Sequence, residues 1–174
     1  KIIYQSFAAK EPNEFILCPY LLKEFRNRWF VFGSRAKDLV LYNLPLDRII
    51  SIEPVDVPFR DNPDFDPEHF FDDVIGVSKN IRNTPRRIRF WANGEQSKYI
   101  KTKPIHSSQK IIRENPEDGS HIFEINVVIN FEMYSVFMSY GPGIKIIHPR
   151  NVVSHMRDKL RAAADLYNEE NSID

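Results

Sequence analysis

The sequence predicts an α+β chain in two parts, a strand-rich first half that closes into a small barrel and a β-α-β-β-α-β second half ended by a helix. Three observations lead there. Short stretches rich in Ile, Leu, Val, Phe and Tyr, separated by polar turns, fill the chain up to Val55. A proline-bearing acidic stretch then interrupts the pattern. Beyond Pro85, strand-like and helix-period patterns alternate.

In order, Lys1 to Ser6, Glu14 to Leu22, Arg28 to Ser34 and Leu39 to Leu44 read as strands, with Ile49 to Val55 as the last. Turns are expected at Lys10 to Asn13, Arg26 to Asn27 and Arg35 to Asp38. In Trp29, Phe30, Val31 and Phe32 both strand faces are apolar, so this strand should be covered on each side and Trp29 should be core. Asp66, Pro67 and Glu68 supply an N-cap, a first-turn proline and an early acid. With Phe70, Phe71, Val74 and Ile75 at helical spacing and Gly76 as a stop, they predict a short helix at 66–75. Turn chemistry from Ser78 to Pro85 places the domain boundary there, giving domains at 1–77 and 78–174.

In the second domain Arg86 to Trp91 reads as a strand, Gly94 to Lys103 as a helix, and Gln109 to Glu114 with His121 to Ile129 as a hairpin. Glu132 to Tyr140 follows as a helix and Ile144 to His148 as a strand, which completes the order of a ferredoxin-like unit. A last helix from Asn151 to Asn168 carries Val153, Met156, Leu160, Ala164 and Tyr167 on one side, a face for the sheet or for a partner subunit.

Composition narrows the function. The 174 residues carry 24 Lys and Arg against 24 Asp and Glu, so the whole chain lacks the positive field typical of nucleic-acid binders. The balance is uneven, however: an acidic stretch from Glu53 to Asp73 precedes a basic one from Lys79 to Lys103. Cys18 is the sole cysteine, which excludes an internal disulfide and suits a reducing cytoplasm. No apolar run is long enough for a membrane span, so no membrane association is expected. The strand pattern starts at once from Lys1, which suggests a native chain extending upstream.

No Gly-rich phosphate loop, Gly-x-Ser-x-Gly elbow or His-Glu-x-x-His helix is present. His69, His106, His121, His148 and His155 are scattered without ligand spacing, so neither a metal nor a cofactor is expected. The loop Ser139 to Gly143 is explained by a helix stop leading into a strand. Arg86, Arg87 and Arg89 beside Phe90 and Trp91 form a basic, aromatic cluster; alternation turns Arg87 and Arg89 outward, where a solvated face is the simpler account.

Three motifs carry a resemblance. Pro19 to Leu22, Arg28 to Gly33 and Leu46 to Ile49 together resemble the WYL domain of bacterial transcription factors, with Trp29, Phe30 and Val31 standing at the name-giving positions. Glu132, Ser139 to Gly141, Ile144 to Pro149 and the final helix resemble the WCX extension that often follows it. The resemblance implies an Sm-like barrel of the Src-homology-3 type, a ferredoxin-like partner domain and a homodimer. It further implies a winged helix-turn-helix upstream that reads DNA, and regulation by a ligand in the barrel. This chain departs from the family in Phe30 and Val31, and in Tyr42 and Leu44, which stand where many members have Arg and Phe. Tyr42 would replace a bidentate anion partner by a stacking ring and one hydroxyl.

The candidate ligand residues follow. Arg28, Arg35 and Arg48, with Lys37, flank the barrel strands and suit a small anion or a nucleic-acid derivative, while Tyr20 and Tyr42 offer stacking. Arg48 is the foremost, because the Leu46, Asp47, Arg48, Ile49 motif places it in the family; the competing account is an ion pair with Asp47 or its surroundings. The leading reading is therefore the sensing and dimerising region of a transcriptional regulator. A rival reading makes the barrel a direct single-strand nucleic-acid binder, and an enzyme on the ferredoxin-like scaffold finds no site to support it.

Overall fold

The computed structural model describes residues 1–79 and 81–168. Asn80 in the predicted boundary and residues 169–174 of the predicted second domain lie outside the described residues. The chain divides into two compact units, one made of Lys1–Asp72 and Gly76–Asn83, the other of Asp73–Ile75 and the chain from Thr84 onward. The first unit thus runs on to Asn83, while Asp73–Ile75 belong with the second. The reason is local bonding: the Asp73 carbonyl accepts the Val128 amide at 2.8 Å and the Ile75 carbonyl accepts Asn130 Nδ2 at 2.8 Å. Two residues later Val77 belongs to the first unit, packed near Phe32 and accepting Asn43 Nδ2 at 2.8 Å.

The first unit holds β1 (Ile2–Tyr4), β2 (Asn13–Phe15), β3 (Leu17–Phe25), β4 (Arg28–Arg35), β5 (Leu41–Pro45), a 3-10 turn (Leu46–Arg48) and β6 (Ile49–Ile52). The predicted strand at Glu14 to Leu22 breaks at Ile16, because its two ends serve different ladders. β2 pairs with β1, setting Phe15 opposite Ile2, while β3 pairs with β4 from Leu17 opposite Arg35 onward. The hairpin between β3 and β4 turns on Arg26 and Asn27, both at positive φ, a pair of conformations that matches the twist of the flanking strands. Two antiparallel sheets result, ordered β2-β1-β6 and β3-β4-β5. Among the described residues no ladder joins them, so the expected closed barrel is here two three-stranded sheets.

Ile2, Tyr4, Val31 and Leu44 form the core of these sheets, with Phe15, Leu17, Tyr42, Leu46 and Ile49 around it. Phe32, one residue on and therefore on the opposite face of β4, anchors a second, aromatic core with Phe65, Phe70 and Val77. Central β4 is thus covered on both sides at Val31 and Phe32. Its beginning is not: Trp29, expected in the core, is 52% exposed, because it lies near the hairpin end of the strand, past the reach of either cluster.

The helix expected at 66–75 does not form. Asp66 does cap a turn, accepting the Glu68 amide at its side chain (3.0 Å) and the Phe70 amide at its carbonyl (2.8 Å), but only successive turns follow. Tertiary demands override the local pattern. Adjacent Phe70 and Phe71 both reach Phe32, with ring centroids 6.4 and 4.9 Å from it, whereas Ile75 is committed to the other unit's core.

The second unit runs β7 (Arg86–Ala92), α1 (Gly94–Thr102), β8 (Lys110–Glu114), β9 (His121–Val127), α2 (Phe131–Met138), a 3-10 turn (Gly141–Gly143), β10 (Ile144–His148) and α3 (Arg150–Asn168). All neighbours in its sheet are antiparallel, in the order β10-β7-β9-β8. Asn93 and Asn130 cap α1 and α2, their side chains accepting the Gln96 and Met133 amides. One sheet face forms the core: Ile88, Phe90, Phe123 and Ile125 are fully buried beneath Ile100 of α1 and Met133 and Phe137 of α2. Val152 and Met156 bring α3 into the same cluster. Among the described residues no helix is long and apolar enough to cross a membrane.

Candidate functional site

Pro45 ends β5, and the single 3-10 turn that follows, closed by the Ile49 amide on the Leu46 carbonyl, directs Asp47 and Arg48 apart. Asp47 goes to Arg28, with an oxygen 3.4 Å from Nη2, and both side chains stay near half-exposed. The expected competition between Asp47 and Arg48 is therefore resolved in favour of Arg28, and Arg48 keeps its charge for another partner.

The Arg48 guanidinium lies under the ring of Phe7, with Cζ 3.9 Å from the ring centroid. Phe7 is 81% exposed and sits on a loop that the backbone and Gln5 hold in place. The Gln5 amide donates to the Arg48 carbonyl (3.2 Å), and its Nε2 donates to the Ala9 and Lys10 carbonyls (3.3 and 3.4 Å). Between this loop and the stretch from Asp47 to Ile50 lies a cavity of about 380 Å³. Arg48 Nε is buried and donates to no protein acceptor. A buried donor on a permanent cation left unmet costs more than a neutral one.

A second arginine repeats the arrangement. At the end of β4, Arg35 lies against the neighbouring rings of Phe15 and Tyr42, with Cζ 4.6 and 4.7 Å from their centroids, and its Nε is also buried without an acceptor. The structure thus brings Arg35 and Tyr42 together, as a ligand site would need, and adds Phe15. Tyr20 is taken elsewhere: its hydroxyl donates to the Arg60 carbonyl at 2.8 Å and its ring packs on Phe59 and Phe65. Phe30 packs half-buried against the aromatic core and Val31 is core, so neither reaches the arginines.

Sequence reasoning missed Phe7 and Phe15 as partners of the arginines. Phe7 carried a signal, since a large apolar residue among Ser6, Ala8 and Ala9 has no strand face to fill. Phe15 carried none, because it reads as an ordinary strand residue.

The larger cavity lies in the second unit, about 820 Å³, between the start of α1 and the turn before β9. We favour the smaller one as the ligand site because the charges of the larger compensate one another. Lys98 and Lys101 share its lining with Glu95, Glu114 and Asp118, and the buried polar side chains are both hydrogen-bonded. Ser97 donates to the Ala92 carbonyl at 3.1 Å. His121, only 4% exposed, gives Nδ1–H to the Gly119 carbonyl at 2.9 Å and turns Nε2 toward Lys101 and Glu114. Among the described residues no cluster of three His, Cys, Asp or Glu is placed to hold a metal ion.

Comparison with known proteins gives two domain matches, the WYL domain over residues 1–54 and the WCX domain over residues 84–164. No curated protein matches the chain. Among solved structures, a CRISPR Cas-related protein shares 12% identity over 98% of this chain, with a TM-score of 0.52, a likeness of fold alone. The proteasome accessory factor B/C of Arthrobacter aurescens aligns over 97% of the chain at 15% identity and a TM-score of 0.41, too loosely to bear on function. The chain spans 48% of the former's length and 25% of the latter's.

Proposed function

Because this chain belongs to the proteins that join a WYL domain to a WCX domain, we propose that it is the effector-sensing and dimer-forming region of a transcriptional regulator. The ligand is a small anion or a nucleic-acid derivative, received by the β-rich unit, and the reading is one of binding rather than catalysis. The observation that carries it is Arg48, whose buried Nε lacks an acceptor beside a cavity while Phe7 covers its face. A guanidinium held this way offers an edge to a phosphate or carboxylate, and the aromatic ring fixes its plane. Arg35, against Phe15 and Tyr42, is a second contact of the same kind.

The finer fold assignments belong to this proposal. Two three-stranded sheets around one apolar core support an Sm-type barrel for the first unit. The strand order β10-β7-β9-β8, with α1 and α2 as crossovers, supports a ferredoxin-like second unit. DNA would be read by a domain outside these residues, in the cytoplasm, and two copies would meet through the second unit, where Leu160, Leu166 and Tyr167 of α3 are exposed. Regulation then requires that the ligand bind one dimer arrangement more tightly than the other; equal affinity would shift nothing.

The test is calorimetric titration of the chain with a nucleoside monophosphate. Arg48→Ala should weaken binding at least tenfold, about 1.4 kcal/mol, with the melting temperature unchanged. Arg48→Lys should recover only part of the loss, since an ammonium cannot bind in two-point fashion. Equal affinity of wild type and Arg48→Ala would overturn the assignment.

A further inference from the structure

We infer that the larger cavity, in the second unit, is a separate binding site, fitted to a short peptide of two or three residues with both termini free. Its charges nearly balance in number, which disfavours a simple anion, but they do not meet. Among the described residues no carboxylate lies at ion-pair distance from Lys98 or Lys101, and no cation lies that near Glu95 or Asp118; Glu114 has only His121. The fold sorts these charges along the cavity. At one end α1 begins against the turn before β9, so closely that a Cβ on Gly94 would collide with the Asp118 carbonyl oxygen, and Glu95 and Asp118 therefore share that end. Lys98 and Lys101 follow along α1, about 4.5 and 9 Å up its axis from Glu95. There the buried His121, fixed by its Nδ1 bond to the Gly119 carbonyl, sets Nε2 3.4 Å from Lys101 Nζ and 3.5 Å from the Glu114 carboxylate. The Lys101 end thus holds two ammoniums against one carboxylate, and the Gly94 end two carboxylates with no cation.

The order of the charges selects the ligand. A cation is favoured beside Glu95 and Asp118, and an anion beside Lys98 and Lys101. An extended chain spans about 3.3–3.6 Å per residue, so two or three residues set an ammonium and a carboxylate roughly 7–11 Å apart, the spacing this cavity offers. A free amino acid carries both charges on one carbon and cannot serve the two ends together. A nucleotide would bring anions to the acidic end and a polyamine cations to the lysines, so each meets its own sign, which is repulsive. The volume, about 820 Å³, is that of a small-ligand cleft. No residue of the arginine cavity takes part, so the two sites stand or fall separately.

The experiment titrates the full chain with trialanine and follows the backbone amides by 15N NMR. Those of Ser97, Lys101 and Gly119 should shift saturably. Acetylating the peptide's amino terminus or amidating its carboxyl terminus should each weaken binding about fivefold, a modest loss because charges this open to solvent are screened. Lys101→Gln, at an exposed position that leaves folding intact, should weaken trialanine about fivefold and leave trialaninamide unchanged. Glu95→Gln, also exposed, should weaken trialanine and leave acetyl-trialanine unchanged. Free alanine should bind more weakly than the peptide, and inorganic phosphate should leave these amides in place. Equal affinity for trialanine capped at both ends would overturn the inference, as would indifference of trialanine to both substitutions or the same shifts with phosphate. Absence of saturable shifts at millimolar trialanine, or shifts confined to residues 1–52, would overturn it as well.

Discussion

Replacing Phe32 by Ala tests the placement of β4, on which the arginine site depends. The ring is fully buried at the centre of the strand, edge-on to Phe71 at 4.9 Å and 6.4 Å from Phe70. Removing a buried Phe costs about 3–5 kcal/mol in lost transfer energy and cavity, and the edge-to-face contact places this site in the upper half, about 4 kcal/mol. In a unit of roughly 80 residues each kcal/mol lowers the melting temperature by about 4–8 °C, so the fall should be about 15–30 °C. Phe32→Leu, which keeps most of the volume, should cost about 1.5 kcal/mol and guards against a variant that never folds. Trp29→Ala is the control: the indole is 52% exposed, solvent can fill the space it leaves, and the cost should be about 1–2 kcal/mol. Urea melts followed by circular dichroism measure all three. A Trp29→Ala loss equal to that of Phe32→Ala would refute the argument, since the indole rather than Phe32 would then be the core of the strand.

Two further outcomes follow from local geometry. Gly33→Ala should destabilise the β3–β4 hairpin by about 3 kcal/mol or more, because its Cβ would stand 2.5 Å from the Cys18 carbonyl oxygen and 3.0 Å from Pro19 Cα, both backbone atoms that cannot swing aside; a melt within 1 °C of wild type would contradict this. His69 Nδ1 lies 2.8 Å from Asp66 Oδ2, and that hydrogen bond, with the carboxylate's charge, raises the imidazole above 6.5 while Asp66 falls below 3.8. The pair's contribution is therefore present in mildly acidic solution, lost as pH rises through the raised His69 value and lost again as pH falls through the lowered Asp66 value. Proton NMR should place the His69 midpoint above 6.5 and return it toward 6.5 in Asp66→Asn; an unmoved midpoint would remove the pair.

Regular elements were legible in the sequence where local pattern and tertiary need agree. Arg86 to Trp91 alternates cleanly because one face of β7 is buried and the other is not, and Ile144 to His148 reads as β10 at its observed ends. The pattern misled where they conflict. Asp66 to Ile75 has every local mark of a helix, yet its aromatic residues serve one unit and Ile75 the other. Trp29 reads as core because periodicity cannot say how far along a strand its covering layers extend. At the proposed site, the sequence singles out Arg48 through its motif, and Arg35 with Tyr42 as strand-flanking residues. Their stacking partners are fixed by the sheet register of β1 and β2 and by a loop, which depend on contacts distant in sequence. The pairing of Asp47 with Arg28 rather than Arg48 depends on the direction of one 3-10 turn, a choice the residue types leave open.

The most direct measurement of the central claim is the Nε–H resonance of Arg48, followed by 15N NMR while a nucleoside monophosphate is added. Arg48 Nε–H should shift and exchange more slowly with solvent, saturating with the affinity found by calorimetry, while Arg28, already paired with Asp47, stays in place. Saturable binding with the Arg48 resonance unmoved would show that the anion is held elsewhere and that the cavity beneath Phe7 is not the sensor.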